Sequence, residues 1–402
     1  MTSENPTAVE GRLVVVGGGT AGAEVAFASR SAGWTGEIIV LSEEAYAPYH
    51  RPPLSKDLLK MDAVFADPDP LKGASLYAKK NVDLRLGSRV DGIDATARTL
   101  SMNANQSLSY DRLVLAVGGR ARELPLIARL ETRPSNVHEL RTLDDCVRLR
   151  SCFQSGRVLM IVGAGYIGLE VAAAAVKAGQ RVILLEAATR VLARVTAPVV
   201  SQFFEREHAK RGVEILTSTT IESLSFGTDG GVDRVVTSDG SEYHVDNLVV
   251  GVGLEPNIEL ANDAGLEIGN GIVVDDSMTT SDPNILALGD CADFHSGFYD
   301  RRVRIESVAN AVEHARRAAI TLTGGDPKPW QVPWFWSNQY EHSLKIVGLS
   351  TGYDETRVID DSEGTSFAVE YLRDGRLIAV DAINHAAAFQ SGKRRIVETI
   401  HA

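Results

Sequence analysis

Two glycine-rich turns with the spacing G-x-G-x-x-G constrain this chain more than any other feature. They occupy residues 17–22 and 163–168, and each follows a short apolar run. An alanine-rich stretch comes after each turn, and then a second β-branched run that ends near an acid, Glu43 or Glu186. The glycines of such a turn let the backbone approach a pyrophosphate at a helix N-terminus, while the acid accepts from a ribose hydroxyl. Two copies predict two bound dinucleotides, for which a flavin and a nicotinamide are the economical pair.

The order of segments around these turns predicts the architecture. Buried apolar runs at 111–120 and 247–253 are interpreted as crossings between domains. After residue 324, alternating and aromatic residues indicate an antiparallel sheet. We expect an α/β chain of two Rossmann-like dinucleotide-binding domains, the second inserted in the first, and a C-terminal α+β domain. The expected boundaries are 1–118 with 247–323 for the FAD-binding domain, 119–246 for the NAD-binding domain and 324–402 for the last domain.

Bulk composition narrows the class of protein. The chain has 402 residues, 44% of them hydrophobic and 23% charged, and a formal charge of −12, which argues against nucleic-acid binding. No uncharged apolar run reaches the ~18 residues of a membrane span, and the first residues lack the basic and apolar regions of a secretory signal. Three cysteines in the chain suit a reducing compartment. We therefore expect a cytoplasmic protein without a nucleic-acid or membrane partner.

The cysteine positions bear on how electrons leave the protein. Cys146, Cys152 and Cys291 form neither a C-x-x-C nor a C-x-x-x-x-C pair, so no redox-active disulfide is expected. Their spacing also offers no iron–sulfur or zinc site, and no metal is expected. We predict that all three are small core residues. A flavin would then pass electrons directly to an external carrier.

Longer motifs resemble those of one protein family. The most specific combination is the run Arg51-Pro52-Pro53-Leu54-Ser55-Lys56, expected to be a fixed loop because adjacent prolines oppose regular helix, with the aromatic segment 333–340. On these motifs the chain resembles the FAD-dependent, NADH-using ferredoxin reductases of bacterial oxygenase systems, especially the putidaredoxin reductase group of the glutathione-reductase-like superfamily. The resemblance covers nearly the whole chain and also rests on residues 17–22, 163–170, 190–195, 251–257, 287–292 and 304–308.

The resemblance implies a set of FAD-binding residues. Glu43 would accept from the adenosine ribose, and Asp290 would accept from a ribityl hydroxyl in a charge-assisted bond. Lys56 would be a catalytic group near the flavin ring, where a cation stabilises the anionic reduced form; without the family context it would be interpreted as a surface lysine. The implied set is Gly17, Gly19, Ala21, Gly22, Glu43, Lys56, Val90, Arg141, Asp290 and Val308.

The second turn is implied to bind the nicotinamide dinucleotide. A carboxylate at Glu186 would repel the 2′-phosphate of NADPH, so NADH is preferred. Glu170 is the second catalytic candidate: it either pairs with Lys56 and meets the nicotinamide amide, or complements the helix dipole. Tyr166 either covers the nicotinamide site or packs in the core. The implied NAD-binding residues are Gly163, Gly165, Tyr166, Gly168 and Glu186.

Three residues are candidates for docking an electron-transfer partner. Arg316 and Lys393 lie in basic groups at 316–317 and 393–395, and a third basic group lies at 301–304. Such a rim would speed association with an acidic ferredoxin, although a solvated helix face explains many basic runs. Trp336 either seats the partner or packs in the core of a small domain.

The leading hypothesis is an NADH:ferredoxin oxidoreductase. NADH would give a hydride to FAD, and single electrons would pass to a [2Fe-2S] ferredoxin that serves a cytochrome P450 or a Rieske-type oxygenase. One rival is a rubredoxin reductase or an NADH oxidase; the peroxide-reducing type generally needs a cysteine near the flavin loop, which residues 48–56 lack. A rival of another class is a redox-sensing flavoprotein that resembles apoptosis-inducing factor, with slow hydride transfer.

Overall fold

The chain divides into two compact units. The computed structural model describes residues 9–60, 69–103, 106–360 and 364–400. Unit 1 comprises Met1–His50, Asp67–Arg120 and Pro256–Pro333, and unit 2 comprises Arg51–Ala66, Ala121–Glu255 and Trp334–Ala402. The first eight residues, for which no secretory signal is predicted, lie outside the described part. Unit 2 includes both the second glycine turn and the C-terminal segment, and the three-domain boundaries drawn from the sequence stay a prediction.

The described helices and strands follow one another along the chain as follows. The helices are α1 Thr20–Ala32, α2 Ala74–Lys79, α3 Pro125–Ala128, α4 Leu143–Ser151, α5 Tyr166–Lys177, α6 Pro198–Ala209, α7 Glu259–Asp263, α8 Val308–Leu322 and α9 Ala386–Ile400. The first strands are β1 Leu13–Val16, β2 Ile38–Leu41, β3 Val82–Arg85, β4 Val90–Asp94, β5 Thr99–Met102, β6 Gln106–Ser109, β7 Arg112–Leu115, β8 Gly119–Ala121, β9 Val137–His138, β10 Val158–Val162 and β11 Arg181–Leu185. The later strands are β12 Glu214–Leu216, β13 Ile221–Phe226, β14 Val232–Thr237, β15 Glu242–His244, β16 Asn247–Val250, β17 Leu254–Pro256, β18 Ile272–Val274, β19 Ile285–Ala287, β20 Ala292–Ser296, β21 Arg301–Val303, β22 Trp334–Gln339, β23 His342–Gly348, β24 Glu355–Ile359, β25 Phe367–Arg373 and β26 Arg376–Ile383. Among the described helices, none combines the length and the apolar composition needed to cross a membrane.

Unit 1 is built on a parallel sheet with the strand order β19-β7-β1-β2-β3. Every residue of β1 is buried, as a strand of a parallel sheet covered on both faces requires. Helix α1 leaves β1 through the first glycine turn and packs against α8. The Rossmann-like fold predicted for this part of the chain is confirmed, and α8 spans the residues where a long helix was expected.

Unit 2 contains a second parallel sheet, with the order β12-β11-β10-β16-β9. Helix α5 leaves β10 through the second glycine turn. The structure differs here from one expectation: β16 was assigned to the return into the FAD-binding domain, yet it pairs with β10. Its residues are wholly buried, so either sheet could have accepted it, and only the pairing decides where it belongs.

The C-terminal part of unit 2 is an antiparallel sheet with the order β22-β23-β26-β25-β24. Helix α9 packs on β23 and β26. The alternating, aromatic pattern after residue 324 therefore predicted this sheet correctly. Strand β22 alternates between two faces, which places Ser337 and Gln339 in the buried interior of unit 2.

The proline-marked segment is more ordered than the single loop that was expected. Pro52–Ser55 and Asp57–Leu59 form two short 3₁₀ turns, the first with proline in its opening positions. A 3₁₀ turn accepts proline there because the first N–H groups of a helix have no internal partner. The two turns bury Leu54 and Ser55 and set Lys56 between them.

A buried tyrosine–aspartate pair links the C-terminal sheet to the segment before α6. The Tyr371 hydroxyl donates to Asp381 Oδ2 at 2.5 Å and accepts from the Ala197 N–H at 2.7 Å. Asp381 is 1% exposed, and its Oδ1 has no partner among the described atoms. Burial raises the pKa of Asp381 from 3.8 to about 7, although the Tyr371 hydrogen bond acts in the opposite direction.

The Asp381→Asn variant should become more stable than the native protein as the pH rises. Between pH 3.8 and about 7 the folded protein keeps the Asp381 proton, whereas the unfolded chain has lost it. The unfolded state then binds fewer protons, so native stability falls with rising pH by up to about 1.4 kcal/mol per pH unit. The variant has no such group and can still accept from Tyr371. Urea unfolding across this range measures the difference.

The exposed Asp374 provides the matched control. Asp374→Asn makes the same chemical change at an exposed side chain, so it shows what the loss of one carboxylate does without burial. Stability curves of Asp381→Asn and the native protein that stay parallel from pH 3.8 to about 7 would contradict the raised pKa.

Candidate active site

The first glycine of each turn is required by the backbone. Gly17 and Gly163 have positive φ angles of 116° and 102°, a region that side chains other than glycine rarely adopt. A Cβ added to Gly17 would lie 2.2 Å from the Ala116 carbonyl oxygen, and one on Gly163 would lie 2.4 Å from that of Gly251. Each turn therefore lies against the end of the neighbouring parallel strand.

The third glycine of each turn is required by packing. A Cβ on Gly22 would lie 1.9 Å from the Gly17 carbonyl oxygen, and a Cβ on Gly168 would lie 2.0 Å from that of Gly163. No real Cβ tolerates such a distance, so only glycine lets the first turn of the helix come this close to the strand end. This is the structural use of the third glycine in the dinucleotide fingerprint.

Neither the backbone conformation nor packing within the protein requires the second glycine of each turn. Gly19 and Gly165 have negative φ angles of −82° and −77°, and no described atom lies within 4 Å of a Cβ placed on either. Both residues are N-caps, and no described side chain caps α1 or α5. Free N–H groups beside open space at a helix N-terminus suit a phosphate. The residues present therefore fit a dinucleotide pyrophosphate at both turns.

The two acids that follow the turns are held differently. Glu186 accepts from the N–H groups of Ala164 and Ala188, each at 2.8 Å, one on each carboxylate oxygen. These bonds fix the carboxylate against the second glycine turn. Glu43 is 70% exposed at its side chain and forms an ion pair with Arg89 at 3.2 Å. Its predicted contact with the adenosine ribose stays a prediction.

The residues implied for FAD divide between the two units. In unit 1, the glycine turn and the Asp290 turn follow the C-terminal ends of β1 and β19, strands of one parallel sheet, and Val308 begins α8. Ligands of such sheets bind at the carboxyl ends of the strands. The unit 1 residues are Gly17, Gly19, Ala21, Gly22, Glu43, Val90, Asp290 and Val308; Lys56 and Arg141 belong to unit 2. The structure brings together the first glycine turn and the Asp290 turn, since a Cβ on Gly289 would lie 3.1 Å from that of Ala21.

A buried histidine that the sequence analysis missed supports the Asp290 turn. His314 Nδ1 on α8 accepts from the Gly289 N–H at 3.1 Å, directly beside Asp290. Burial lowers the pKa of His314 from 6.5 to about 3, and the nearby Arg317 lowers it further. The imidazole is therefore neutral at physiological pH and can act as an acceptor. No sequence motif marks this residue.

Lys56 and Glu170 form the predicted ion pair. Lys56 Nζ lies 2.7 Å from Glu170 Oε2, and the two side chains are 17% and 1% exposed. Ser55 Oγ also donates to Oε2, and Ser337 Oγ donates to Oε1 at 2.6 Å. A buried carboxylate needs such donors to offset the loss of its hydration. The Glu170 carboxylate thus serves as the acceptor of a four-residue cluster rather than only as a complement to the helix dipole.

Ser55 and Ser337 were also missed as site residues. Both stand within motifs that carried the family resemblance, at 51–56 and 333–340, but neither was given a role there. A serine in an otherwise apolar or aromatic run is a weak signal, because its hydroxyl usually bonds to local backbone. The partner that gives both serines a purpose is Glu170, which is distant from each in sequence.

Tyr166 packs against an aromatic residue of the C-terminal sheet. Its ring centroid lies 4.8 Å from that of Phe335. Burial raises the pKa of Tyr166 well above its usual value, and the Asp381 carboxyl raises it further, so the phenol stays protonated. This contact fits the packing alternative, while a role in covering the nicotinamide stays a prediction.

Most arginines of the predicted basic rim form hydrogen bonds or ion pairs within the protein. The Arg317 guanidinium donates to two backbone carbonyls and lies 3.7 Å from the centre of the Trp330 ring. Arg302 and Arg304 pair with neighbouring acids, and Arg395 pairs with Glu370. These four arginines are therefore held by partners within the protein. Of the docking candidates, Arg316 is exposed, and Trp336 and Lys393 are partly exposed.

The three cysteines are free thiols. Cys146 and Cys291 are buried, as predicted for core residues, and Cys152 is partly buried. Burial raises the pKa of Cys146 and Cys291 to about 11 and raises that of Cys152. All three therefore stay protonated at neutral pH and lack the thiolate that disulfide chemistry needs.

Comparison with known proteins places the chain in a family. The profile of the pyridine nucleotide-disulphide oxidoreductase family matches residues 11–315, and that of the reductase C-terminal family matches 334–402. The chain is 45% identical to putidaredoxin reductase CamA of Pseudomonas putida, over 96% of this chain and 92% of that protein. It is 37% identical to a rubredoxin-NAD(+) reductase of Ectopseudomonas oleovorans, over 92% and 95% of the two chains.

Solved structures agree with this placement. The covalent putidaredoxin reductase–putidaredoxin complex matches with a TM-score of 0.94 and 45% identity, over 97% of this chain and 93% of that one. The ferredoxin reductase for the CYP199A2 system of Rhodopseudomonas palustris matches with a TM-score of 0.89 and 38% identity, over 95% and 93%. The chain therefore belongs to the pyridine nucleotide-disulphide oxidoreductase family and, within it, to the ferredoxin reductases similar to putidaredoxin reductase.

Proposed function

We propose that this chain is an FAD-dependent NADH:ferredoxin oxidoreductase that supplies electrons to an oxygenase. The observation that carries the proposal is the pair of glycine turns, each with a second glycine beside open space that a close ligand would fill. Two dinucleotide sites in one chain fit a flavin and a nicotinamide. The family resemblance assigns FAD to the turn at 17–22 and NADH to the turn at 163–168.

The bound flavin supplies the central chemistry, since it accepts a hydride from NADH and releases electrons singly. The protein's own groups hold the cofactors and adjust charge. The Asp290 carboxylate is proposed to accept from a flavin-side hydroxyl, on a turn that His314 supports. Lys56 and Glu170 stay the proposed catalytic pair: a lysine cation stabilises negative charge on a reduced flavin, and Glu170 holds that cation by the 2.7 Å contact.

NADH is the preferred donor because of the surroundings of Glu186. Backbone N–H groups fix both of its oxygens, so the carboxylate cannot swing away from a 2′-phosphate and would repel it. The nearest arginine after it along the chain, Arg190, donates to Ser201 Oγ at 2.6 Å and to the Ala193 carbonyl at 2.9 Å. Its guanidinium is already engaged by the protein and is a poor partner for a phosphate.

The proposed partner is a [2Fe-2S] ferredoxin, and the terminal acceptor is a cytochrome P450 or a Rieske oxygenase. Relatives that act on putidaredoxin and within a CYP199A2 system support this choice. The protonated thiols support direct electron transfer from the flavin rather than through a disulfide. Arg316, Trp336 and Lys393 are the proposed docking residues, and the free cysteines support a cytoplasmic location. A rubredoxin is the second candidate partner, because a rubredoxin reductase is among the relatives.

Turnover with different acceptors tests the function. Flavin-loaded protein is mixed with NADH and, in separate reactions, with a [2Fe-2S] ferredoxin, a rubredoxin or oxygen alone. We expect ferredoxin reduction at about 1 to 10³ per second and slow reaction with oxygen. Preference for rubredoxin would support the second candidate. Fast turnover with oxygen alone, or a slow reaction that leaves a persistent NADH–flavin complex, would overturn the reductase proposal.

Replacing two glycines of the second turn should separate folding from nucleotide binding. Gly168→Ala should lower the free energy of unfolding by about 1 to 3 kcal/mol, because the new methyl overlaps the Gly163 carbonyl. Gly165→Ala should cost less than about 1 kcal/mol, as expected at an N-cap, yet weaken NADH binding about tenfold or more by filling the pyrophosphate position. Urea unfolding and NADH titration measure the two effects. Unchanged NADH affinity in Gly165→Ala would rule out this turn as the pyrophosphate site.

Changing Glu186 should alter the choice between nicotinamide donors. The double variant Glu186→Ser with Ala187→Arg removes the repelling carboxylate and adds a cation, so the ratio of kcat/KM for NADH to that for NADPH should fall by about tenfold or more. The control is Glu214→Gln, an acid on the neighbouring strand β12, which should leave the ratio unchanged. If the double variant keeps the native ratio, Glu186 does not contact the ribose.

A further inference from the structure

A continuous chain of side-chain hydrogen bonds leads away from the Glu170 carboxylate. Ser337 Oγ lies 2.6 Å from Glu170 Oε1, and Gln339 Nε2 lies 3.2 Å from Ser337 Oγ. His208 Nε2 lies 2.9 Å from Gln339 Oε1, and the Tyr340 hydroxyl lies 3.1 Å from His208 Nδ1. Ser337, Gln339 and His208 are 0% exposed. This hydrogen-bond chain joins α5, β22 and α6, all within unit 2.

Elementary hydrogen-bond chemistry gives this chain one direction. Glu170 Oε1 accepts from the Ser337 hydroxyl, so the Ser337 proton is used on that side. The Ser337 oxygen then accepts from the Gln339 amide N–H, which turns the Gln339 carbonyl oxygen towards His208. His208 must therefore carry its proton on Nε2, and its Nδ1 accepts from the Tyr340 hydroxyl. In each of these hydrogen bonds, the donor therefore lies on the side away from Glu170 and the acceptor on the side nearer to it.

The surroundings of His208 keep its imidazole neutral, as this direction requires. Burial is the main cause that lowers the pKa of His208 to about 4. The nearby Arg211 and His342 also lower this pKa, while the Gln339 hydrogen bond and Glu207 raise it. Arg211 also lies 4.2 Å from the centre of the Tyr340 ring. Glu207 is itself engaged by Lys210, Arg211 and His342. Together with the Arg211–Glu341 ion pair, these contacts account for the cluster of Glu207, Glu341 and His342.

We propose that Ser337, Gln339 and His208 are positioning residues that hold the Glu170 carboxylate in the orientation in which it pairs with Lys56. The proposal rests on the proposed function, in which Glu170 and Lys56 are the catalytic pair. The carboxylate can rotate about its last side-chain bond, and Lys56 and Ser55 contact only Oε2. The Ser337 hydroxyl is the donor on Oε1, so it sets the rotation. Gln339 and His208 leave the Ser337 proton no other acceptor, which is how chained hydrogen bonds reinforce one another.

Burial of three polar side chains fits a positioning role. Apolar residues of similar size would pack at these places without the cost of desolvating an amide and an imidazole. These hydrogen bonds instead connect strand β22 of the C-terminal sheet to Glu170 on α5. Through Ser337, the C-terminal sheet thus contributes to the position of the Glu170 carboxylate.

Removing the Ser337 hydroxyl tests this role. In flavin-loaded Ser337→Ala, we expect the maximum rate of flavin reduction by NADH to fall about tenfold, the effect of a lost charge-assisted hydrogen bond. The apparent Kd for NADH should change less than about twofold because the Ser337 side chain is fully buried behind Glu170. Ser337→Thr keeps the hydroxyl and should restore the rate. Asn338→Ala, at an exposed neighbour on β22, is the control and should behave as the native protein.

A double-mutant cycle shows whether Ser337 acts through Glu170. In the Glu170→Ala background, Ser337→Ala should add no further loss of rate, because the carboxylate that it orients is gone. An equal loss in both backgrounds would falsify the positioning role. Failure of the proposed function looks different, since native protein would then show no fast flavin reduction by NADH at all.

Nitrogen NMR of the histidines tests the hydrogen-bond chain without an activity measurement. In flavin-loaded native protein, His208 should be neutral with its proton on Nε2 through the neutral pH range. A proton on Nδ1, or a charged ring, would overturn the proposed direction. If Ser337→Ala fails to fold, Tyr340→Phe removes only the terminal hydroxyl. It should lower the rate of flavin reduction about two- to threefold, the effect of a neutral hydrogen bond, and an unchanged rate would count against the chain.

Discussion

Both nucleotide turns depend on one constraint, the close approach of a helix N-terminus to the end of a buried parallel strand. The third glycine of each turn lies where a methyl group would meet a carbonyl oxygen at 1.9 or 2.0 Å. That approach aims uncapped N–H groups of α1 and α5 at open space beside Gly19 and Gly165. A phosphate then gains hydrogen bonds and a favourable dipole without displacing any part of the protein. The acids, the neighbouring turns and the parallel sheets are arranged around these two places.

The buried Glu170 carboxylate joins three segments of unit 2. Taking a carboxylate out of water is costly unless charges and donors compensate. Here the compensation comes from Lys56 and Ser55 on the 3₁₀ turns and from Ser337 on β22. Segments that are distant in sequence therefore meet at one side chain. The C-terminal sheet, which contains no nucleotide motif, takes part in this site because its strand β22 alternates and buries Ser337 and Gln339.

The sequence predicted the parts that local patterns determine. The glycine turns, the parallel strands, helix α8 and the antiparallel C-terminal sheet follow from spacing and hydrophobic periodicity. The pairing of Lys56 with Glu170 was also proposed from motifs. Strand β16 was expected to mark the return into the FAD-binding domain, but it pairs with β10, because a buried and mostly apolar strand fits the interior of either sheet. The docking residues Arg316, Trp336 and Lys393 stay a prediction. The sequence did not show that Arg317, next to Arg316, is held by Trp330 and two carbonyl groups.

The sequence alone determined that this chain has two dinucleotide turns, because only glycine fits the positive-φ and closely packed positions of such turns. It also placed the chain with flavin- and nicotinamide-dependent reductases. The tertiary structure decided which polar side chains meet. Ser55, Ser337, Gln339 and His208 are ordinary residues along the chain, and they form one network only because folding buries them together. Hydrogen bonds act over about 3 Å, so partners distant in sequence stay invisible until the fold brings them within that reach.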